Sequence, residues 1–166
     1  MSQTEIIIDE CKRQEESCLY TSSALFEWIK AMRFWRIVFV IAPIVLGAIA
    51  SSTFLQHADG FAAFAAGCSL VAGIFPAVYK ALDLDVSLAS LSKSANEFKS
   101  LQDAFRQSWR MAESIEVGEL TGSFDTLMQR MNLARSATDA IPERFFLKGR
   151  KKIMEGHYKF AVDAGD

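Results

Sequence analysis

From Ile37 to Gln56 the chain carries no charged side chain, and from Gly60 to Tyr79 it carries none again. Only His57, Ala58 and Asp59 stand between these two runs of 20 residues each. At about 1.5 Å per helical residue, each run reaches roughly 30 Å, the thickness of a bilayer's hydrocarbon core. As buried helices of a soluble bundle, both would have to be enclosed on every side along their whole length. A chain of 166 residues has too little else to wrap them. The pattern therefore predicts two transmembrane helices, 37–56 and 60–79, joined by a tight turn. The first run starts only at residue 37 and is too long for the apolar core of a signal peptide.

Basic residues fix the expected orientation. Lys30, Arg33 and Arg36 precede the first run and Lys80 follows the second, while the turn holds no Lys or Arg. The positive-inside rule then places both termini in the cytoplasm. Trp28, Phe34 and Trp35 bracket the entry point as interfacial anchors would. The formal net charge of −2 selects no partner, and nucleic acid is not expected.

The flanking segments read as helices. Ile8, Cys11, Glu15, Cys18, Ser22, Leu25, Ile29 and Met32 recur at alternating spacings of three and four, forming an N-terminal amphipathic helix over 1–36 that runs into the first span. Beyond the second span no breaker is evident. Leu84, Leu88, Leu91, Ala95, Phe98, Gln102, Phe105, Trp109 and Ala112 keep the same alternation, a coiled-coil-like seam over 80–115. The two stripes can pack on each other within one chain, or on a second copy. Gly118 and Gly122 mark 116–122 as a loop. Ser123 can cap a helix over 123–141 that Pro142 ends, and a last helix follows over 143–162. The expected fold is all-α: a transmembrane hairpin (37–79) continuous with a cytoplasmic helical region (80–166).

Small residues recur at helical spacing inside the spans. Ala58, Ala62 and Ala66 form one row of four-residue steps, Ala65, Ser69, Gly73 and Ala77 another, and Gly47 and Ser51 a shorter pair. Such rows let helix backbones approach closely in lipid. One hairpin can use one row, so two rows point to a homo-oligomer. Neither span holds an ionisable side chain, which argues against a pump or coupled carrier. Pro43 and Pro76 are read as tolerated kinks.

No catalytic motif is present, neither a nucleophile elbow, a phosphate-binding loop, a zinc-protease signature nor a paired CxxC, so enzyme activity is not expected. Two histidines far apart and three cysteines on apolar faces suggest no metal, and no cofactor is expected. Asp83 and Asp85 sit just past the second span. In an oligomer they can form an acidic ring at a pore mouth, and in a monomer they are solvated charges. Arg144, Lys148, Arg150, Lys151 and Lys152 make a basic patch that can lie on anionic lipid, take up a phosphate-bearing ligand, or simply face water.

A cytoplasmic helix, two tightly linked spans and a helical tail running from Ala134-Arg135-Ser136-Ala137 through Ile141-Pro142 resemble the SLATT family, two-span effectors of bacterial anti-phage and conflict systems. The resemblance covers nearly the whole chain as architecture, through short motifs, and Lys148-Gly149-Arg150-Lys151-Lys152 is more basic than its pattern. It implies an oligomeric effector in the bacterial cytoplasmic membrane, forming a pore or disrupting the bilayer beside a sensor protein or a nucleotide signal. The alternative is a non-conducting, membrane-tethered coiled-coil adaptor that recruits a soluble partner.

Overall fold

The computed structural model describes residues 2–51, 61–81 and 83–158, and the turn at 57–59 lies outside them. The described residues are all-α. Five α-helices follow in order: α1 (Gln3–Ala50), α2 (Phe61–Ala81), α3 (Leu84–Met111), α4 (Val117–Ser136) and α5 (Glu143–Met154), with a 3₁₀ turn at Ala112–Ser114. α1 is one helix of 48 residues with Pro43 inside it. It opens on a capping box: the Glu5 N–H donates to Ser2 Oγ (3.2 Å), and the Ser2 N–H donates to Glu5 Oε2 (2.7 Å).

The chain forms two compact units. One joins Met1–Ile29 with Ser90–Asp166, and the other is Lys30–Ala89. These limits differ from divisions at 36 and 79. The basic residues ahead of the first run, and the first turns of α3, belong with the hairpin.

In the first unit, a helical bundle, both stripes turn inward. Cys11, Cys18, Leu25 and Ile29 of α1 are buried, as are Leu91, Ala95, Phe98, Leu101, Gln102 and Phe105 of α3. They pair within the chain, because the one carboxylate in the α1 stripe finds its partners on the α3 stripe. Glu15 Oε1 accepts from Arg106 Nε (2.7 Å) and Oε2 from Trp109 Nε1 (2.7 Å). A buried carboxylate is tolerable only when hydrogen-bonded in this way. α4 adds Leu120, Leu127, Met131 and Ala134 to the core, with Phe105 and Phe124 edge to face at 6.4 Å and Arg130 paired to Glu97 at 2.8 Å. α5 buries Phe145 and Gly149 against α1.

Helix boundaries depart from the sequence pattern in three ways. α4 begins at Val117, so 116–122 is not a loop but the N-terminal turns of a helix holding Gly118 and Gly122. Each glycine costs about 1 kcal/mol against alanine, and the buried Leu120 offsets that by anchoring the first turns. Glu116, not Ser123, stands at the N-cap. The second departure is at the end of α2. Asp83 takes φ 44, a left-handed conformation that aspartate tolerates better than most residues. α2 therefore stops at Ala81 and α3 starts at Leu84. Asp83 seals the break, its N–H donating to the Lys80 carbonyl (3.2 Å) and its carbonyl accepting the Ser87 N–H (3.0 Å). Third, α4 ends at Ser136 and α5 at Met154, short of the expected 141 and 162; residues 159–162 lie outside the described part.

The second unit is the hairpin. α1 and α2 are long and apolar enough to cross a membrane. Phe39 meets Phe75 at 5.6 Å between ring centres. Cys68 is buried, and Ala72, Phe75 and Tyr79 are partly covered, one face of α2 at helical spacing. Ala65 and Val78 are also partly covered, and most of the rest of the described α2 surface is exposed.

Candidate functional site

Which faces of the hairpin are covered follows from helix geometry. Of the row Ala65, Ser69, Gly73 and Ala77, only Ala65 is partly covered, and the other three are exposed. Rows of four-residue steps are inclined about 26° to the helix axis, so this one starts beside the face turned to α1 and winds away from it. A Cβ built on Gly73 meets nothing within 4 Å. The hairpin's own packing therefore does not need a glycine there. Gly47 is likewise open, though half-buried. Ser51 is exposed, and its hydroxyl donates to the Ala48 carbonyl (3.1 Å). Of the other row, Ala58 lies outside the described residues. Large apolar side chains complete the bare surface: Ile37, Val40, Ile41 and Ile44 of α1, and Phe64, Leu70 and Ile74 of α2. Ile44 and Leu70 are each 67% exposed.

At the base of the hairpin the structure brings together three side chains that spacing alone did not join. Arg36 Nε lies 3.0 Å from Asp85 Oδ1, and Tyr79 Oη donates to Asp85 Oδ2 at 2.6 Å. Arg36 comes from α1, Tyr79 from α2 and Asp85 from the first turn of α3, so this clamp ties all three across the break at 82–83. Asp85 thus has its charge offset by a cation, whereas the Asp83 side chain is exposed. The pair of acids is not equivalent. The clamp is also exposed, so the ion pair is worth at most about 1 kcal/mol in water.

Of the expected aromatic anchors, Phe34 and Trp35 are more than half exposed. Trp28 is partly covered and stacks on Phe145 at 6.0 Å.

The five-residue basic patch is divided. Lys152 turns inward, its Nζ 2.6 Å from Glu27 Oε1. Arg144, Lys148, Arg150 and Lys151 are exposed, with Arg144 also 4.6 Å over the Phe145 ring. Gly149, embedded in the patch, has a structural task that the sequence reading missed. A Cβ there would lie 2.8 Å from the Ala24 backbone nitrogen, so only glycine lets α5 sit this close to α1. The signal was present as a lone glycine inside a helical pattern.

The bundle also carries a groove of about 300 Å³ between α3 and α4, lined by Ser90, Lys93, Ser94 and Glu97 on one side and Arg130 and Leu133 on the other. Cys11 and Cys18 lie fully inside the core. Burial pushes the Cys11 thiol up, and raises Cys18 to about 11; both are protonated and unreactive at neutral pH. Among the described residues no three His, Cys, Asp or Glu come together as a metal site would need.

Compared with known proteins, the chain matches no protein-family model, no curated protein and no solved structure.

Proposed function

We propose that the protein is an oligomeric, two-span membrane effector: a cytoplasmic signal received by the bundle makes hairpins associate into a pore or bilayer lesion. The observation that carries this reading is the uncovered face of α2, where Ser69, Gly73 and Ala77 stand exposed beside bare apolar side chains. Close backbone approach through such residues is a driver of helix association in lipid. Spans without ionisable groups suit a hydrophobic constriction that opens by wetting. In this mechanism both termini are cytoplasmic, and the Arg36–Asp85–Tyr79 clamp holds the resting hairpin. Its release frees Asp85 to join Asp83 at the pore mouth. The SLATT resemblance adds the expected setting, the bacterial cytoplasmic membrane during anti-phage defence, with a sensor protein or nucleotide signal as trigger.

The test is membrane potential in bacteria expressing the protein, with and without phage challenge. Wild type depolarises the membrane on challenge, while Gly73→Leu, at an exposed position where an added Cβ meets nothing within 4 Å, inserts normally and does not. Depolarisation unchanged in Gly73→Leu removes small-residue packing from the mechanism.

A second reading is favoured by the α3/α4 groove: a non-conducting adaptor that seats a soluble partner there. It predicts partner capture that Leu133→Asp abolishes, with the membrane potential intact throughout.

A further inference from the structure

α5 meets α1 in a register that fixes how it lies. Phe145 stacks on Trp28 at 6.0 Å, and Lys152 pairs with Glu27 at 2.6 Å. These two residues are seven apart in α5, about 10 Å along its axis, yet they meet α1 at one height. Phe146, the immediate neighbour of Phe145, instead stacks on Tyr20 at 6.3 Å. Tyr20 and Trp28 are roughly 12 Å apart along α1. Moving along α5 leaves the height on α1 unchanged, whereas moving around α5 changes it. α5 therefore lies across α1, and its Phe145–Lys152 side points toward the C-terminal end of that helix.

At about 100° per residue, Arg144, Lys148 and Lys151 fall within roughly 60° of arc on that same side. Arg150 falls on the opposite side. Glu155 shares the arc and pairs with Lys151 at 3.7 Å, leaving three cations against one acid. The cations are exposed and spread over about 10 Å, a spacing suited to several headgroups rather than to one phosphate. In sequence, Trp28 stands nine positions before Ile37, where the uncharged run begins.

We propose that this edge of α5, carrying Arg144, Lys148 and Lys151, binds anionic lipid headgroups. Basic clusters next to a span are attracted to such surfaces over about one Debye length. The proposal rests on the two-span reading and makes this edge of α5 a lipid-sensitive surface of the bundle.

The experiment uses the full-length chain reconstituted in phosphatidylcholine vesicles with or without phosphatidylglycerol, carrying an environment-sensitive fluorophore on Leu147→Cys. Leu147 is exposed, while the native thiols are buried and label slowly. In phosphatidylglycerol vesicles the emission shifts to the blue and acrylamide quenching falls. At roughly 1 M salt, where the Debye length is about 3 Å, both effects are lost. The triple variant Arg144→Gln, Lys148→Gln, Lys151→Gln loses them at low salt, and Arg150→Gln keeps them. Equal emission in both lipids overturns the proposal. So does loss of the shift in Arg150→Gln, or its reproduction in neutral vesicles by inorganic phosphate, the mark of a soluble ligand. Failure of the two-span reading shows separately, as protein that does not float with vesicles of either lipid.

Discussion

α1 passes through both units, and its two halves meet different surroundings. In the bundle, Cys11, Cys18, Leu25 and Ile29 are at most 3% exposed. In the hairpin, Ile37, Val40, Ile41 and Ile44 range from 49% to 67%. Their polar contacts differ as well. Bundle charges reach across helices to chosen partners, Glu15 to Arg106 and Trp109, Glu97 to Arg130, Glu27 to Lys152. At the base of the hairpin, Arg36 and Tyr79 meet Asp85. The bundle buries its stripes between helices, whereas the hairpin leaves large apolar side chains exposed along both of its helices. Similar side chains thus contribute to a core in one unit and to exposed surface in the other.

Substitutions that act on one unit alone sharpen this contrast. The largest effect is expected from Phe98→Ala in the bundle core, where truncation of a buried Phe costs about 3–5 kcal/mol. Chemical denaturation in detergent should show the bundle lost while the hairpin still partitions into membranes. If insertion fails too, the units are not independent. Nearly as large is Ile44→Asp, at a bare hairpin position. On a water-facing helix it would be neutral, but near the centre of a membrane span it costs about 3–4 kcal/mol. A glycosylation-based insertion assay reads the difference, and neutrality would place this face in water. Gly149→Ala should cost about 1–3 kcal/mol by overpacking, because the new methyl meets backbone rather than a flexible side chain. Hydrogen exchange should then quicken in α5 and leave α3 unchanged. The smallest effect concerns Cys18. Its thiol is raised from about 9 to about 11 by burial, so the folded state holds its proton where the unfolded chain has lost it. The bundle is fully stable below pH 9 and weakens as pH rises from 9 toward 11. Cys18→Ala should flatten that decline in a pH series of thermal melts.

Much of the fold was legible because two periodicities dominate it. Uncharged runs gave the helices of the hairpin, and alternating three- and four-residue spacing gave both bundle stripes down to Glu15 and Gln102. What escaped was set by single residues acting through space. Asp83 breaks α2 from α3 by adopting a left-handed backbone, which no hydrophobic pattern announces. Gly118 and Gly122 suggested a loop by propensity, and tertiary burial of Leu120 overrode it. Trp28 stacks on a partner 117 positions along the chain, Phe145, which no local pattern announces. The Arg36–Asp85–Tyr79 clamp and the split of the basic patch are likewise tertiary. Each needs the register of one helix on another, which composition does not contain.

The central claim is that the small-residue row Ser69, Gly73 and Ala77 of α2 is where a second copy packs, and thiol crosslinking in the membrane tests it most directly. Ser69→Cys places a thiol on that row, and Leu70→Cys places one about 100° around the helix, off it. Membranes carrying each variant would be treated with a mild oxidant and run on non-reducing gels. The account predicts a covalent dimer for Ser69→Cys and far less for Leu70→Cys. Equal crosslinking of the two, or none in protein shown to be membrane-embedded, would contradict it.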